Sequence, residues 1–275
     1  IRTLGSDAAV STQSLQYFVS DRPVPRKQIA PEELLPNFLI VGAAKAGTSA
    51  LAHQLSQHPD IFIPSEKECH FFDRAFNADG LARYLASFSG AHGYPLRGEA
   101  TVSYAMYPRV DGIPEKIKKQ LGGIKIIYIA RDPIKRMVSE YRHAIRNKND
   151  LPEFSDWIKT DQGMNNSVLR SNYNLQTKLF YDVFPKENIK ILFYEDYRPP
   201  HSKTLDDIFS FLGASSSVRG APISNKTLNK DDERAIPIPV VTDDAREHIR
   251  AVVRDDNLAF LATHNRPLDY WPSMT

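Results

Sequence analysis

The chain has 275 residues, 41% hydrophobic and 25% charged, and its 35 Lys and Arg nearly balance 33 Asp and Glu to a net charge of +2. That balance excludes a polyanion binder acting through a bulk positive field, and also a disordered charged tail. The lone cysteine, Cys69, excludes an intrachain disulfide framework and suits a reducing compartment or a lineage that never needed disulfides, while no apolar run nears the roughly 20 residues of a membrane span.

Residues 1–36 carry Pro23, Pro25, Pro31 and Pro36 with weak periodicity, and read as a lead-in or linker. The start at Ile1, without a charged-then-apolar leader, suits a domain cut from a larger polypeptide such as a multi-enzyme. Residues 37–275 read as a single domain. Phe38-Leu39-Ile40-Val41, bounded by Pro36 and Gly42, predicts a buried parallel strand. A small-residue turn follows, and Leu51 and Leu55 predict a helix over Ser49–Gln57. Ile61-Phe62-Ile63 predicts a short strand and Asp79–Phe88 a helix. Ile124–Ile129 is the strongest β run, with Pro133 placed to open a helix that reaches Arg146. A helix through Leu175, Leu179 and Phe180 precedes a strand at Ile189–Phe193. Thr204–Leu212 and a helix from Thr242 to Asp255 complete the set, the latter capped by Thr242 with Asp243 and Asp244 in its first turn. Strands separated by helices, without hairpin signals, predict an α/β fold with a central parallel sheet and helices on both faces.

Three segments carry chemistry. Gly42-Ala43-Ala44-Lys45-Ala46-Gly47-Thr48-Ser49 lies between strand and helix, where backbone N–H groups and the helix N-terminus attract an anion. A Walker A loop places lysine directly after the second glycine; here Thr48 stands there and the lysine is Lys45, inside the loop. This predicts a phosphate site without an obvious Mg-nucleoside triphosphate site. In Glu66-Lys67-Glu68-Cys69-His70-Phe71-Phe72-Asp73, an extended backbone would turn Glu66, Glu68 and His70 to one face and Cys69 and Phe71 to the other. A carboxylate beside an imidazole suits general acid–base work. A metal set of Glu68, His70 and Asp73 has no second cluster to support it, and a solvated charged edge over a Phe71–Phe72 core is the plainer alternative. Finally, Arg131 follows the strongest strand, where its guanidinium matches two oxygens of a phosphate, and Ser139 lies about two turns along the next helix. Both loops belong at the carboxyl ends of strands, where open α/β sheets bind ligands.

Together these segments resemble the sulfotransferases that use 3′-phosphoadenosine 5′-phosphosulfate (PAPS), in the branch of the heparan sulfate N- and 3-O-sulfotransferases and their bacterial relatives. The matching blocks are Gly42–Leu51, Glu68–Asp73, and Arg131-Asp132-Pro133 through Arg136, Ser139 and Tyr141. The resemblance implies that Lys45, Ala46, Gly47, Thr48 and Ser49 hold the 5′-phosphosulfate, and that Arg131 and Ser139 hold the 3′-phosphate. It also implies a catalytic base at Glu68 with His70 and Asp73 beside it, Tyr173 near the cofactor, and Lys226 or Arg234 on the 3′-phosphate. Two departures stand out. Members with carbohydrate acceptors often carry a lysine after the glutamate that here is Glu99, where this chain has Ala100. Their disulfide-linked hairpin after Asn-Lys-Thr has no counterpart beyond Asn225-Lys226-Thr227, and with no second cysteine this implies a cytoplasmic enzyme and not one of the Golgi type.

The resemblance implies attack by an acceptor hydroxyl on sulfur, release of 3′,5′-ADP, and no metal, with Lys45 stabilising the leaving oxygen. Either Glu68 or His70 takes the proton. The acceptor class stays open between a small molecule, a carbohydrate and a carrier-tethered hydroxyl. The rival readings are a P-loop kinase acting on a small molecule and a catalytically silent nucleotide-binding module. Nucleic acid is not an expected partner, because basic and acidic residues are interleaved.

Overall fold

The buried apolar run at Phe38–Gly42 forms β1, every residue of which is shielded. The protein's structure, a computed structural model, describes residues 34–147, 150–197, 202–215 and 236–275. Most of the expected lead-in lies outside the described residues, as do Lys226 and Arg234. After β1 come α1 (Thr48–Leu55), β2 (Ile61–Phe62), α2 (Phe71–Arg74), α3 (Ala78–Ser87), β3 (Leu96–Glu99) and α4 (Ile113–Leu121). The chain continues through β4 (Lys125–Ala130), α5 (Pro133–Asn147), α6 (Phe154–Trp157), α7 (Asp161–Gly163) and α8 (Tyr173–Tyr181). It closes with β5 (Ile189–Phe193), α9 (Tyr194–Tyr197), α10 (Ser202–Leu212) and α11 (Asp243–Thr263).

The five strands form one sheet in the order β2-β3-β1-β4-β5, and every pairing is parallel. β1 is central, with Phe38 opposite both Gly98 of β3 and Lys125 of β4. All of β1 and all of β4 except Lys125 are buried, so both faces of the sheet are covered. The α/β expectation therefore holds. β3 was not foreseen: Leu-Arg-Gly-Glu has no β-forming pattern. Gly98 sits there because a Cβ would meet the Phe38 ring at 2.2–2.6 Å, so only a bare backbone lets the central strand's aromatic lie across.

The helices follow their apolar spacing. α5 buries Pro133, Met137 and Tyr141, one turn apart, together with Ile134. α11 begins as expected, with the Thr242 hydroxyl accepting the Ala245 amide at 3.2 Å. It runs on past Asp255 to Thr263, because Ile249, Val253, Phe260 and Leu261 keep one stripe buried. Phe260 stacks on Trp271, with centroids 6.0 Å apart, tying the C-terminal segment to this helix. Among the described residues, no helix is long and apolar enough to cross a membrane.

Candidate active site

Because the sheet is parallel, the segments after β1, β3 and β4 emerge at one edge. Chain order reverses direction about β1, which places the first of these loops at the switch point where α/β sheets bind ligands. The loop after β1 starts with the Ala43 amide donating to the Ile129 carbonyl (2.8 Å), which fastens it to β4. Lys45 (φ 65°) and Gly47 (φ 96°) both adopt left-handed backbone, and the Ala46 amide donates to the Ala43 carbonyl (3.1 Å). Ala46 thus shapes the loop: its amide is used internally and its side chain is buried in the core. Gly47 caps α1 without a side-chain bond, which leaves the first-turn amides of Thr48 and Ser49 pointing into the loop. A Cβ at Gly47 would come within 3.1 Å of the Tyr194 ring.

Arg131 leaves the end of β4 and links this loop to its neighbour. Its Nη1 donates to the Lys45 carbonyl (2.9 Å), and its guanidinium lies 4.5 Å from the centroid of Tyr194. Its Nε is buried without a protein partner, an arrangement that suits an anion's oxygen. The Tyr173 hydroxyl donates to the Arg131 carbonyl (2.7 Å), and the Asp132 amide donates to Glu195 (2.9 Å), itself held by the Trp271 indole (3.2 Å). Tyr173 is fully buried, with its phenol pushed up by that burial, and its hydroxyl is spent on backbone. Tyr173, expected near the cofactor, sits directly behind Arg131 and supports its backbone. Ser139 does face open space. It lines a cavity of about 600 Å³ with Tyr194, four cations (Arg131, Lys135, Arg142 and Arg246) and one carboxylate, Asp132, an excess of positive charge that the near-neutral chain as a whole does not show.

The third element differs from its expected form. Residues 66–70 are a loop, not an extended strand, and His70 (φ 52°) adopts the left-handed conformation before α2 begins at Phe71. The reason is non-local: the segment is bonded to the end of β3 residue by residue, with the Ala100 amide donating to the Lys67 carbonyl (2.7 Å). Glu68 and His70 nonetheless meet, with His70 Nε2 3.5 Å from Glu68 Oε2. His70 Nδ1 lies 3.1 Å from Asp73 Oδ2, which also accepts the Ser103 hydroxyl (2.6 Å). A chain Glu68–His70–Asp73–Ser103 results, with exposed and buried ends. Glu68 is about one-third exposed and the Asp73 side chain is 3% exposed. Such a chain can orient the imidazole and hold a carboxylate ready to take a proton.

Sequence reasoning missed three participants. Lys67 pairs with Glu68 and also reaches the Ala100 carbonyl (3.3 Å), so a cation stands where the expected lysine is replaced by Ala100. Only the charge run of Glu66-Lys67-Glu68 hinted at it. Ser103 had no signal in sequence. Glu99, fully buried, stands out in the sequence only as the residue before Ala100. Cys69 is half-buried against the core, its thiol pushed up by burial, as expected of a packing residue. Among the described residues no group of three His, Cys, Asp or Glu could hold a metal.

Comparison with known proteins gives the family of the chain. The profile of the sulfotransferase domain matches residues 35–235. The membrane-associated sulfotransferase kil1 of Dictyostelium discoideum is 33% identical over 128 residues, covering 44% of this chain and 26% of that protein. Human heparan sulfate glucosamine 3-O-sulfotransferase 3B1 is 30% identical over 152 residues, or 54% of this chain and 38% of that protein. The chain thus spans well under half the length of these relatives. A crystal structure of a sulfotransferase from Alicyclobacillus acidocaldarius superposes with a TM-score of 0.69 at 29% identity, covering 86% of this chain and 98% of that one. With the profile spanning most of its length, and relatives from the heparan sulfate 3-O-sulfotransferase and bacterial branch, the chain belongs to the sulfotransferase family.

Proposed function

We propose that this protein transfers a sulfuryl group from PAPS to an acceptor hydroxyl, with Glu68 as general base. One observation carries the reading. The small-residue loop at the centre of the sheet edge is flanked on the β4 side by the Arg131 clamp, and on the β3 side by the Glu68–His70–Asp73 chain. PAPS, when bound, supplies the sulfuryl group and departs as 3′,5′-ADP. Lys45 and the amides of Thr48 and Ser49 would hold its 5′-phosphosulfate, and Lys45 would meet the negative charge that builds on the bridging oxygen. Arg131 and Ser139 would hold the 3′-phosphate, the orphaned Arg131 Nε among the donors.

Glu68 accepts the proton of the acceptor hydroxyl, and His70, steered by Asp73, holds Glu68 or the acceptor in line. Positioning and charge carry most of the rate, as in phosphoryl transfer. The names of the curated relatives support a carbohydrate hydroxyl as acceptor. Thr48, in place of the lysine of a Walker A loop, weighs against the kinase alternative. The test is Glu68→Gln, assayed with labelled PAPS against carbohydrate, small-alcohol and carrier-bound hydroxyl acceptors. Turnover should fall by about a hundred-fold or more, in line with loss of a general base, while 3′,5′-ADP binding stays intact. Near-normal turnover would remove Glu68 from the role.

A further inference from the structure

Glu99 closes β3 opposite Leu39 of the central strand and is fully buried. Four donors converge on it. The Cys69 amide (3.0 Å) and the Thr101 hydroxyl (2.5 Å) donate to Oε2; the Tyr84 and Tyr104 hydroxyls (2.9 Å each) donate to Oε1. Two of these donors also accept: Thr101 Oγ1 takes the His70 amide (3.3 Å), and the Tyr104 oxygen takes the Phe71 amide (3.1 Å). The amides of Cys69, His70 and Phe71, the three residues after Glu68, thus all end on one buried carboxylate or on a hydroxyl bonded to it. The left-handed turn at His70 removes these amides from any helix or strand ladder, so they need partners from elsewhere.

We propose that Glu99 is a positioning residue for the sulfuryl-transfer site, fixing the backbone between Glu68 and α2 so that Glu68 and His70 face the sheet edge. This rests on reading Glu68 as the base. A glutamine at 99 cannot reproduce the network. The Cys69 amide can only donate and claims the remaining oxygen, so the new NH₂ turns towards Tyr84 and Tyr104, and their hydroxyl protons lose their acceptor.

The test compares wild type with Glu99→Gln by kcat, KM for PAPS, 3′,5′-ADP affinity and amide hydrogen exchange over residues 67–72. We expect kcat to fall about ten-fold or more and exchange in this segment to quicken by a similar factor, because a buried donor left unpaired is costly. KM for PAPS and 3′,5′-ADP affinity should stay within about two-fold, since the phosphate loop hangs on other strands. Tyr104→Phe, which keeps the carboxylate and removes one donor and the Phe71 acceptor, should move kcat and exchange in the same direction by less. It carries the test if Glu99→Gln fails to fold. Unchanged exchange overturns the proposal, and so does a parallel loss of 3′,5′-ADP affinity. Faster exchange with wild-type kcat also overturns it, provided Glu68→Gln is inactive. If Glu68→Gln itself keeps its turnover, the base assignment fails instead, and the exchange data still decide whether Glu99 anchors the segment.

Discussion

Arg136 offers a sharp test of how the phosphate loop is held. Its guanidinium is fully buried on α5. Nε donates to the Ser171 hydroxyl (2.8 Å), Nη2 to the Ser167 carbonyl (2.5 Å) and hydroxyl (3.2 Å), and Nη1 reaches the Ala44 carbonyl of the loop (3.4 Å). Arg136→Leu removes two strong bonds from a charged donor, each worth about 1.5–3 kcal/mol. Two features limit the loss. Ser171 already donates to the Ser167 carbonyl (3.2 Å), so those groups keep each other, and leucine regains about 1 kcal/mol of apolar burial. Glu140 adds to the loss: its Oε2, 3.7 Å from Nη1, is buried without a hydrogen-bond partner and would lose its facing cation. The net expectation is at least about 3 kcal/mol, which is about 6–12 °C in Tm for a domain of this size. Unlike an ion pair replaced whole by apolar residues, the carbonyl and hydroxyl partners here stay behind as polar groups. Thermal unfolding followed by circular dichroism, with and without 3′,5′-ADP, measures the effect, and the ligand's stabilisation should shrink because Ala44 loses its support. A loss below about 1 kcal/mol would refute the idea that this guanidinium organises the loop.

Two further outcomes follow from local geometry. Gly47→Ala puts a Cβ at φ 96° and within 3.1 Å of Tyr194; it should cost about 1–3 kcal/mol and weaken 3′,5′-ADP binding, read together by calorimetric titration and urea unfolding. Unchanged affinity would mean that the left-handed turn is not needed for the anion. His264, half-buried against Phe260 and close to Lys186 and Arg266, has its imidazole held down to about 4 from an ordinary 6.5, chiefly by that desolvation. The unfolded chain therefore takes up the proton first, and stability should decline as pH falls from about 6.5 towards about 4. Urea midpoints at pH 7 and pH 5 should show a smaller decline in His264→Phe. An equal decline in both proteins would assign the acid sensitivity to other groups.

What could be read in sequence divides along the range of the interactions. β1, α1, β4, the Pro133 start of α5, β5 and the Thr242 cap rest on patterns within a few residues, and each stands within a residue or two of its expected start. The position of the small-residue loop after β1, and of Arg131 at the end of β4, was legible for the same reason: strand, loop and helix follow one another directly. β3 was not, because Gly98 answers to Phe38 and Glu99 to Tyr84 and Tyr104, residues whose proximity exists only in the fold. The loop at residues 66–70 looked extended because its alternation of charged and apolar residues imitates a strand, while its actual backbone partners lie around Ala100 and Thr101. Sequence places Tyr173 near Arg131 only through the resemblance; it does not say which end of the tyrosine meets what, and the hydroxyl bonds the Arg131 carbonyl.

The central placement of β1 also bears on when the site comes into being. Phe38 pairs with Gly98 on one side and Lys125 on the other, so its two neighbours are synthesised long after it. Pairings so distant along the chain are slow to close. The loop after β1 is fastened through the Ile129 and Arg131 ends of β4, so the proposed anion site forms only after β4 has emerged and docked. Anion binding should accordingly arise late and in one step with sheet closure during refolding, which makes it a kinetic reporter of the completed fold.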